Sequence, residues 1–180
     1  KDDSVLMNAP AALERAEVLL VESTYGDREH RGEQDTVNQL RDILSETWDQ
    51  GGCVMIPAFA VGRTQDLLFH LGSLYNDGEL DNWQIFLDSP MAIAVTRVYD
   101  RWLELLDAGD VRELSQAHKS SLQTFLPTLN LASSTEQSMA INRIKSGAII
   151  IAGSGMCTGG RIRHHFKARI WDRRNSLVFT

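Results

Sequence analysis

The chain has 180 residues, 43% of them hydrophobic and 23% charged, ordinary proportions for a globular domain large enough to bury a core. These totals exclude a disordered or collagen-like chain, and no apolar run approaches the roughly 18 residues that a membrane-spanning helix needs. A net charge of −6 argues against indiscriminate nucleic-acid binding, yet residues 141–180 hold eight Lys/Arg against one acid, Asp172, while the first 140 hold 10 bases and 23 acids.

Such a basic segment either attracts a polyanion locally or forms a solvated helix face. Cys53 and Cys157 make no metal pattern and read as free thiols. The opening Lys-Asp-Asp-Ser has neither an initiator Met nor a signal peptide, and the last residues lie within a strand-like run. The expectation is a cytoplasmic protein and a piece of a longer one.

Residues 1–17 read as a lead-in, with Pro10 ahead of a short helix at 11–16. Four apolar β-formers, Val18-Leu-Leu-Val21, then run straight into Glu22 and a turn. That pattern predicts a strand covered on both faces that delivers a carboxylate to its carboxyl end. Val37, Leu40, Leu44 and Trp48 recur at helical spacing and predict a helix over 33–49, stopped by Gly51-Gly52. A second strand is expected at 53–57. The loop 58–63 then opens a helix whose apolar face is Leu67, Leu68, Leu71 and Leu74.

A third strand, 84–88, ends in Asp88-Ser89-Pro90, a cap followed by Pro at the first helical position. Met91, Val95, Val98, Trp102 and Leu105 are expected to be the buried stripe of that helix. Residues 108–128 mix polar and apolar positions and read as a helical flap. A short strand at 128–132 precedes Ser134-Thr-Glu-Gln137, a capping-box pattern that opens a helix to about residue 145. The run 148–152 is the most strand-like in the chain. It empties into Gly153-Ser-Gly-Met-Cys-Thr-Gly-Gly160, a basic helix over 161–170 and a last strand at 176–179. Alternating strands and helices predict an α/β fold, a three-layer Rossmann-like sandwich with a mostly parallel sheet.

In a parallel sheet ligands bind outside the carboxyl ends of the strands, which brings together Glu22, the 57–63 loop, Asp88-Ser89 and the 153–161 loop. Glycines that let backbone N–H groups approach an anion, followed by a helix N-terminus and flanked by the Ser154 and Thr158 hydroxyls, suit a phosphate. The spacing of Gly153, Gly155 and Gly159 also approaches a dinucleotide fingerprint, which would bind NAD or NADP. Against it, the loop follows a late strand and no strand-end acid lies about 20 residues on. The same glycines would equally serve a tight turn. Glu22 alone also fits a loop cap, Arg63 either a phosphate contact or an ion pair, and Asp88 and Ser89 helix caps. His164 and His165 are adjacent and make a poor metal pair.

Four ordered motifs, Glu22-Ser-Thr-Tyr-Gly-Asp-Arg28, Ile56-Pro-Ala-Phe-Ala-Val-Gly-Arg63, Leu87-Asp-Ser-Pro-Met-Ala92 and Gly153-Ser-Gly-Met-Cys-Thr-Gly-Gly-Arg161, closely resemble the β-CASP RNases of the metallo-β-lactamase superfamily. The resemblance implies a zinc-dependent RNase in which a β-CASP domain clamps RNA against a metallo-β-lactamase domain carrying two zinc ions. It implies Glu22 as the catalytic-motif acid that holds a histidine. It also places Ser154, Gly155 and Met156 against RNA phosphate, with Arg63, Ser89 and Arg161 as further phosphate contacts. By the same resemblance residues 1–26 would be a lead-in and strand of the adjoining domain, and 27–180 the β-CASP domain. The partners implied are RNA, that adjoining domain and a homodimer mate. The zinc-binding histidine run is absent from this sequence, so no metal ligand is assigned and the isolated chain is expected to be inactive. A non-catalytic RNA-binding scaffold is the remaining alternative.

Overall fold

The computed structural model describes residues 6–8, 11–29, 31–116 and 118–180, so the expectation on Pro10 lies outside the described residues. Five short strands build the sheet: β1 (Cys53–Pro57), β2 (Gln84–Asp88), β3 (Leu129–Leu131), β4 (Ala148–Ala152) and β5 (Ser176–Leu177). Their order is β3-β2-β4-β1-β5, and every neighbouring pair is parallel. Helices α1 (Glu33–Asp49), α2 (Arg63–Asn76), α3 (Pro90–Arg101), α4 (Ala108–Gln116), α5 (Leu122–Phe125), α6 (Thr135–Ile141) and α7 (Ile162–Arg169) connect them.

Successive side chains of a strand point to opposite faces, and here both faces are apolar. Val54, Ile56, Ile149 and Ile151 meet Leu40 and Leu44 of α1, Leu67, Leu68 and Leu71 of α2, and Ile93 of α3. On the opposite side Cys53, Ala148 and Ile150 pack with Ile141 of α6, and Met55 and Ala152 with Ile162 and Phe166 of α7. All five positions of β1 and of β4 are therefore buried, the mark of a sheet sandwiched between helical layers. Each buried Ile or Leu contributes about 1.5–3 kcal/mol by leaving water, which makes β4 the densest source of stability. The 108–128 flap forms α4 and α5. It has a small core of its own in which Phe125 stacks on Phe69 of α2 with ring centroids 5.7 Å apart.

Local signals set the helix starts. Ser89 Oγ accepts from the Ala92 N–H at 3.2 Å with Pro90 at the first helical position. Ser134 and Gln137 form the expected capping box of α6.

Three expectations fail. Residues 11–16 are not helical. Residues 18–22 form no strand: the sheet edges are β3 and β5, neither offers these residues a ladder, and Leu20 is left 93% exposed. The buried face of α3 is Ala92, Ile93 and Thr96, whereas Met91 at 67% exposure, Val98, Trp102 and Leu105 face outward. This helix carries two apolar stripes, and the inner one is fixed by Gln65 Nε2 of α2 donating to Thr96 Oγ1 at 3.0 Å.

Candidate functional site

Parallel pairing aligns the carboxyl ends of the three central strands, with Pro57 and Asp88 both in register with Ala152. The loops that leave them run side by side as one rim. The Ala58 N–H donates to the Ala152 carbonyl at 3.1 Å. A Cβ added at Gly153 would sit 3.8 Å from Ser89 Oγ, and one at Gly155 would fall 2.7 Å from the Phe59 ring. Only a residue without a side chain lets the glycine loop lie against Phe59 this closely. Gly160 is fixed twice over, since its φ is +72° and a Cβ there would lie 2.3 Å from the Gly153 carbonyl oxygen.

Beneath the rim lies a buried polar cluster. Asp88, with no exposed surface, accepts through Oδ1 from Arg161 Nη1 at 2.7 Å. Its Oδ2 accepts from Ser138 Oγ at 2.6 Å and His165 Nε2 at 2.7 Å. Burial alone would push this carboxyl up, but the hydrogen bonds from His165, Ser138 and Arg161 and the charge of His165 hold it below the usual carboxylate range. An ionised Asp88 only accepts, so the proton of that His165 contact belongs to Nε2. Arg161 also donates to the Ala132 and Ser133 carbonyls at 2.9 and 3.1 Å. Its guanidinium thus ties β2, the segment after β3 and the start of α7 into one unit.

That arrangement gives two expected residues a structural part. Arg161, expected on phosphate, also donates to Asp88 and two carbonyls, so it holds the glycine loop from below. Asp88, expected as a helix cap, is instead the shared acceptor of the cluster, and Ser89 alone is the cap. His165 and Ser138 were missed as members. The available signal was that Arg161 and His165 stand four residues apart and so share a helix face, opposite a strand-end acid.

The other candidates are placed as follows. Ser154 Oγ is buried beside the loop and makes no hydrogen bond. Its N–H donates to the Gly159 carbonyl at 3.3 Å, and its carbonyl accepts from Cys157 N at 3.1 Å. Among the described residues the amides of Gly155, Met156, Thr158 and Gly159 have no hydrogen-bond partner, and the Met156 side chain is exposed. Ser89 keeps a hydroxyl proton to donate while its oxygen caps α3. Arg63 opens α2 half-exposed, with Asp66 at 4.0 Å, the outer limit of an ion pair. Glu22 lies on the exposed segment before α1, and the Thr24 N–H donates to its Oε1 at 2.7 Å. Hydrogen bonds from the Thr24 side chain and backbone hold the Glu22 carboxyl below its ordinary range, so it is an anion at neutral pH.

The rim therefore offers neutral donors, open amides and hydroxyls, around a glycine turn, the composition of an anion seat. Among the described residues no group of three or more His, Cys, Asp or Glu side chains is placed to hold a metal ion, so the two zinc ions implied by the resemblance do not fit these residues. Of two surface hollows, one, lined by Arg41, Trp48, Glu79 and Trp83, lies where chain enters the strands, at the opposite end of the sheet. The other, lined by Phe86, Asn130 and Gln137, sits over β2 and β3. No helix among the described residues is long and apolar enough to cross a membrane.

Comparison with known proteins agrees with this geometry. The Beta-Casp domain family model matches residues 64–180. Ribonuclease TTHA0252 of Thermus thermophilus is 43% identical over 167 residues, covering 91% of this chain and 37% of the relative. Transcription termination factor FttA of a Lokiarchaeum species is 34% identical over 180 residues, 97% of this chain and 27% of the relative. An RNase J-like protein of Methanocaldococcus jannaschii is 29% identical over 179 residues, 97% and 39% respectively. The chain spans between about a quarter and two fifths of the length of these relatives.

Proposed function

Because the chain belongs to the Beta-Casp domain family, we propose that it is the RNA-clamping part of a cytoplasmic metal-dependent RNase, acting with a metallo-β-lactamase domain beyond these residues. The observation that carries this reading is the rim: the buried, unpartnered Ser154 hydroxyl beside four open loop amides, held in place by the Asp88–Arg161 pair. Donors without a fixed positive charge suit a phosphodiester that must be positioned and later released. The names of the relatives, two of them ribonucleases, point the same way. A nicotinamide-cofactor reading has nothing comparable in its favour.

In this proposal the companion domain would hold the metal ions, and the chemistry they would supply there is the activation of water. This chain contributes position. Ser154, Gly155 and Met156 seat a backbone phosphate, Ser89 and Arg63 flank it, and Glu22 orients a histidine of the companion domain. The exposed run 18–21 goes with that domain and finds its ladder in the companion sheet, whereas Leu6 stays with this unit, buried in the flap core with its N–H donating to Asp110 Oδ2 at 2.7 Å. The folded unit of residues 27–180 begins before the family-model match, since β1 lies between β4 and β5.

The reading is tested by RNA affinity and turnover in the intact enzyme. Ser154→Ala is expected to weaken single-stranded RNA binding about three- to tenfold, the loss of one or two hydrogen bonds to a charged oxygen. Glu22→Gln is expected to cut turnover and leave affinity unchanged. Full RNA affinity in Ser154→Ala together with full turnover in Glu22→Gln would overturn the assignment.

A further inference from the structure

We infer that the outer face of α7 is a second binding surface for single-stranded RNA, a track running from the glycine loop to a base platform at Trp171. The inference rests on the RNA-clamping reading and extends it beyond the rim.

The basic end of the chain divides into cations used by the fold and cations left over. Arg161 is held by Asp88. Arg169, nearly buried, donates to the Ile141 and Ile144 carbonyls and to Asn142 Oδ1. Arg174 closes on Asp172 at 2.7 Å. Arg163, Lys167 and Arg173 are exposed and have no carboxylate partner among the described residues, and the single interaction of Arg163 is a 3.3 Å bond to the Thr158 carbonyl of the loop itself. The only acid in the last 40 residues is already paired.

Two of these cations are in line. Arg163 and Lys167 stand four residues apart on α7 and so share a face. Ile170 keeps helical φ and ψ of −64° and −21°, which carries the row on to Trp171. The row spans about 12 Å at 1.5 Å per residue. At its far end Trp171 is 74% exposed, an unusual place for an indole. Cations that follow a backbone with an open aromatic face beside them are what proteins use to hold single strands without sequence preference. An acidic protein surface would also suit the cations and bury the indole, but α7 begins where the phosphate seat ends, within reach of a strand already anchored there. A strand anchored at Ser154 is thereby led along Arg163 and Lys167 to stack a base on Trp171.

The test titrates the intact enzyme with labelled, hydrolysis-resistant oligouridylates of about 4 and about 12 nucleotides, the shorter reaching the rim alone. Trp171→Ala is expected to lower affinity for the longer probe about tenfold and leave the shorter unchanged, with Trp171→Phe restoring the loss because it keeps a stacking face. Lys167→Ala is expected to reduce the slope of log affinity against log salt by about 0.7 for the longer probe only. Unchanged affinity of Trp171→Ala for the longer probe overturns the track and leaves the rim reading standing, whereas failure of both probes to bind the parent enzyme overturns both. Polyglutamate competing as well as RNA and losing affinity with Trp171→Ala would reassign the face to an acidic protein.

Discussion

Asp88→Ala removes the one acceptor that Arg161, Ser138 and His165 share. All three contacts are 2.6–2.7 Å long, and neither Asp88 nor His165 has exposed surface, so water cannot replace the carboxylate without opening the rim. Breaking a buried ion pair from one side costs about 3–5 kcal/mol, a large share of the 5–15 kcal/mol that holds a domain folded. At about 2–4 °C per kcal/mol for a chain of this size, the melting temperature should fall by roughly 6–20 °C. Urea unfolding followed by far-ultraviolet circular dichroism gives the same quantity from the midpoint at constant slope. The sign of its pH dependence is also fixed. A carboxyl held below its unfolded-state value stabilises the fold above that value, and the contribution is lost as pH falls through the folded one. The stability gap between the parent and Asp88→Asn should therefore be full at neutral pH and shrink below about pH 4. A loss under about 1 kcal/mol in Asp88→Ala, or a gap independent of pH, would refute the view that this carboxylate is the keystone of the rim.

Two other changes follow from the geometry. Gly160→Ala combines a left-handed backbone with a Cβ 2.3 Å from the Gly153 carbonyl, so it should cost more than about 2 kcal/mol by chemical unfolding and weaken RNA binding with it; a variant as stable as the parent would show that the loop relaxes freely. Burial holds the Asp100 carboxyl above its ordinary range, only partly offset by the Leu122 N–H at 2.8 Å, so its ionisation at neutral pH opposes folding. Asp100→Asn keeps an acceptor for that N–H and should be as stable as the parent or more so at neutral pH, the advantage vanishing as pH falls through the raised value; a less stable variant at neutral pH would contradict the sign.

The helices and strands that bury one face against the sheet were readable residue by residue. α1, β1 and β2 fall on their expected limits because periodicity and punctuation agree there: Gly51-Gly52 ends α1, and Ser89-Pro90 ends β2. Periodicity failed where a segment's partner was not in its own neighbourhood. Val18 to Val21 has the composition of a buried strand, but burial is a property of two surfaces, and no ladder in this sheet is open to it. On α3 the outer stripe is the more regular of two, and spacing alone cannot say which one meets α2. The rim loops were visible because glycines and strand ends mark them. The Asp88 cluster was not, since its members are 77 residues apart and meet only when α7 packs over β1 and β4.

The order of the sheet has a consequence for how the domain is divided in the chain. β1 and β2 never touch each other; both lean on β4, which arrives nearly a hundred residues after β1. Deleting β4 would not shorten the sheet but cut it into two unconnected ribbons. During synthesis the first four fifths of this chain can form helices and the β2–β3 pair yet no central ladder. The domain closes from its middle, on the arrival of three consecutive isoleucines whose ladder partners on β1 and β2 lie far back in the sequence.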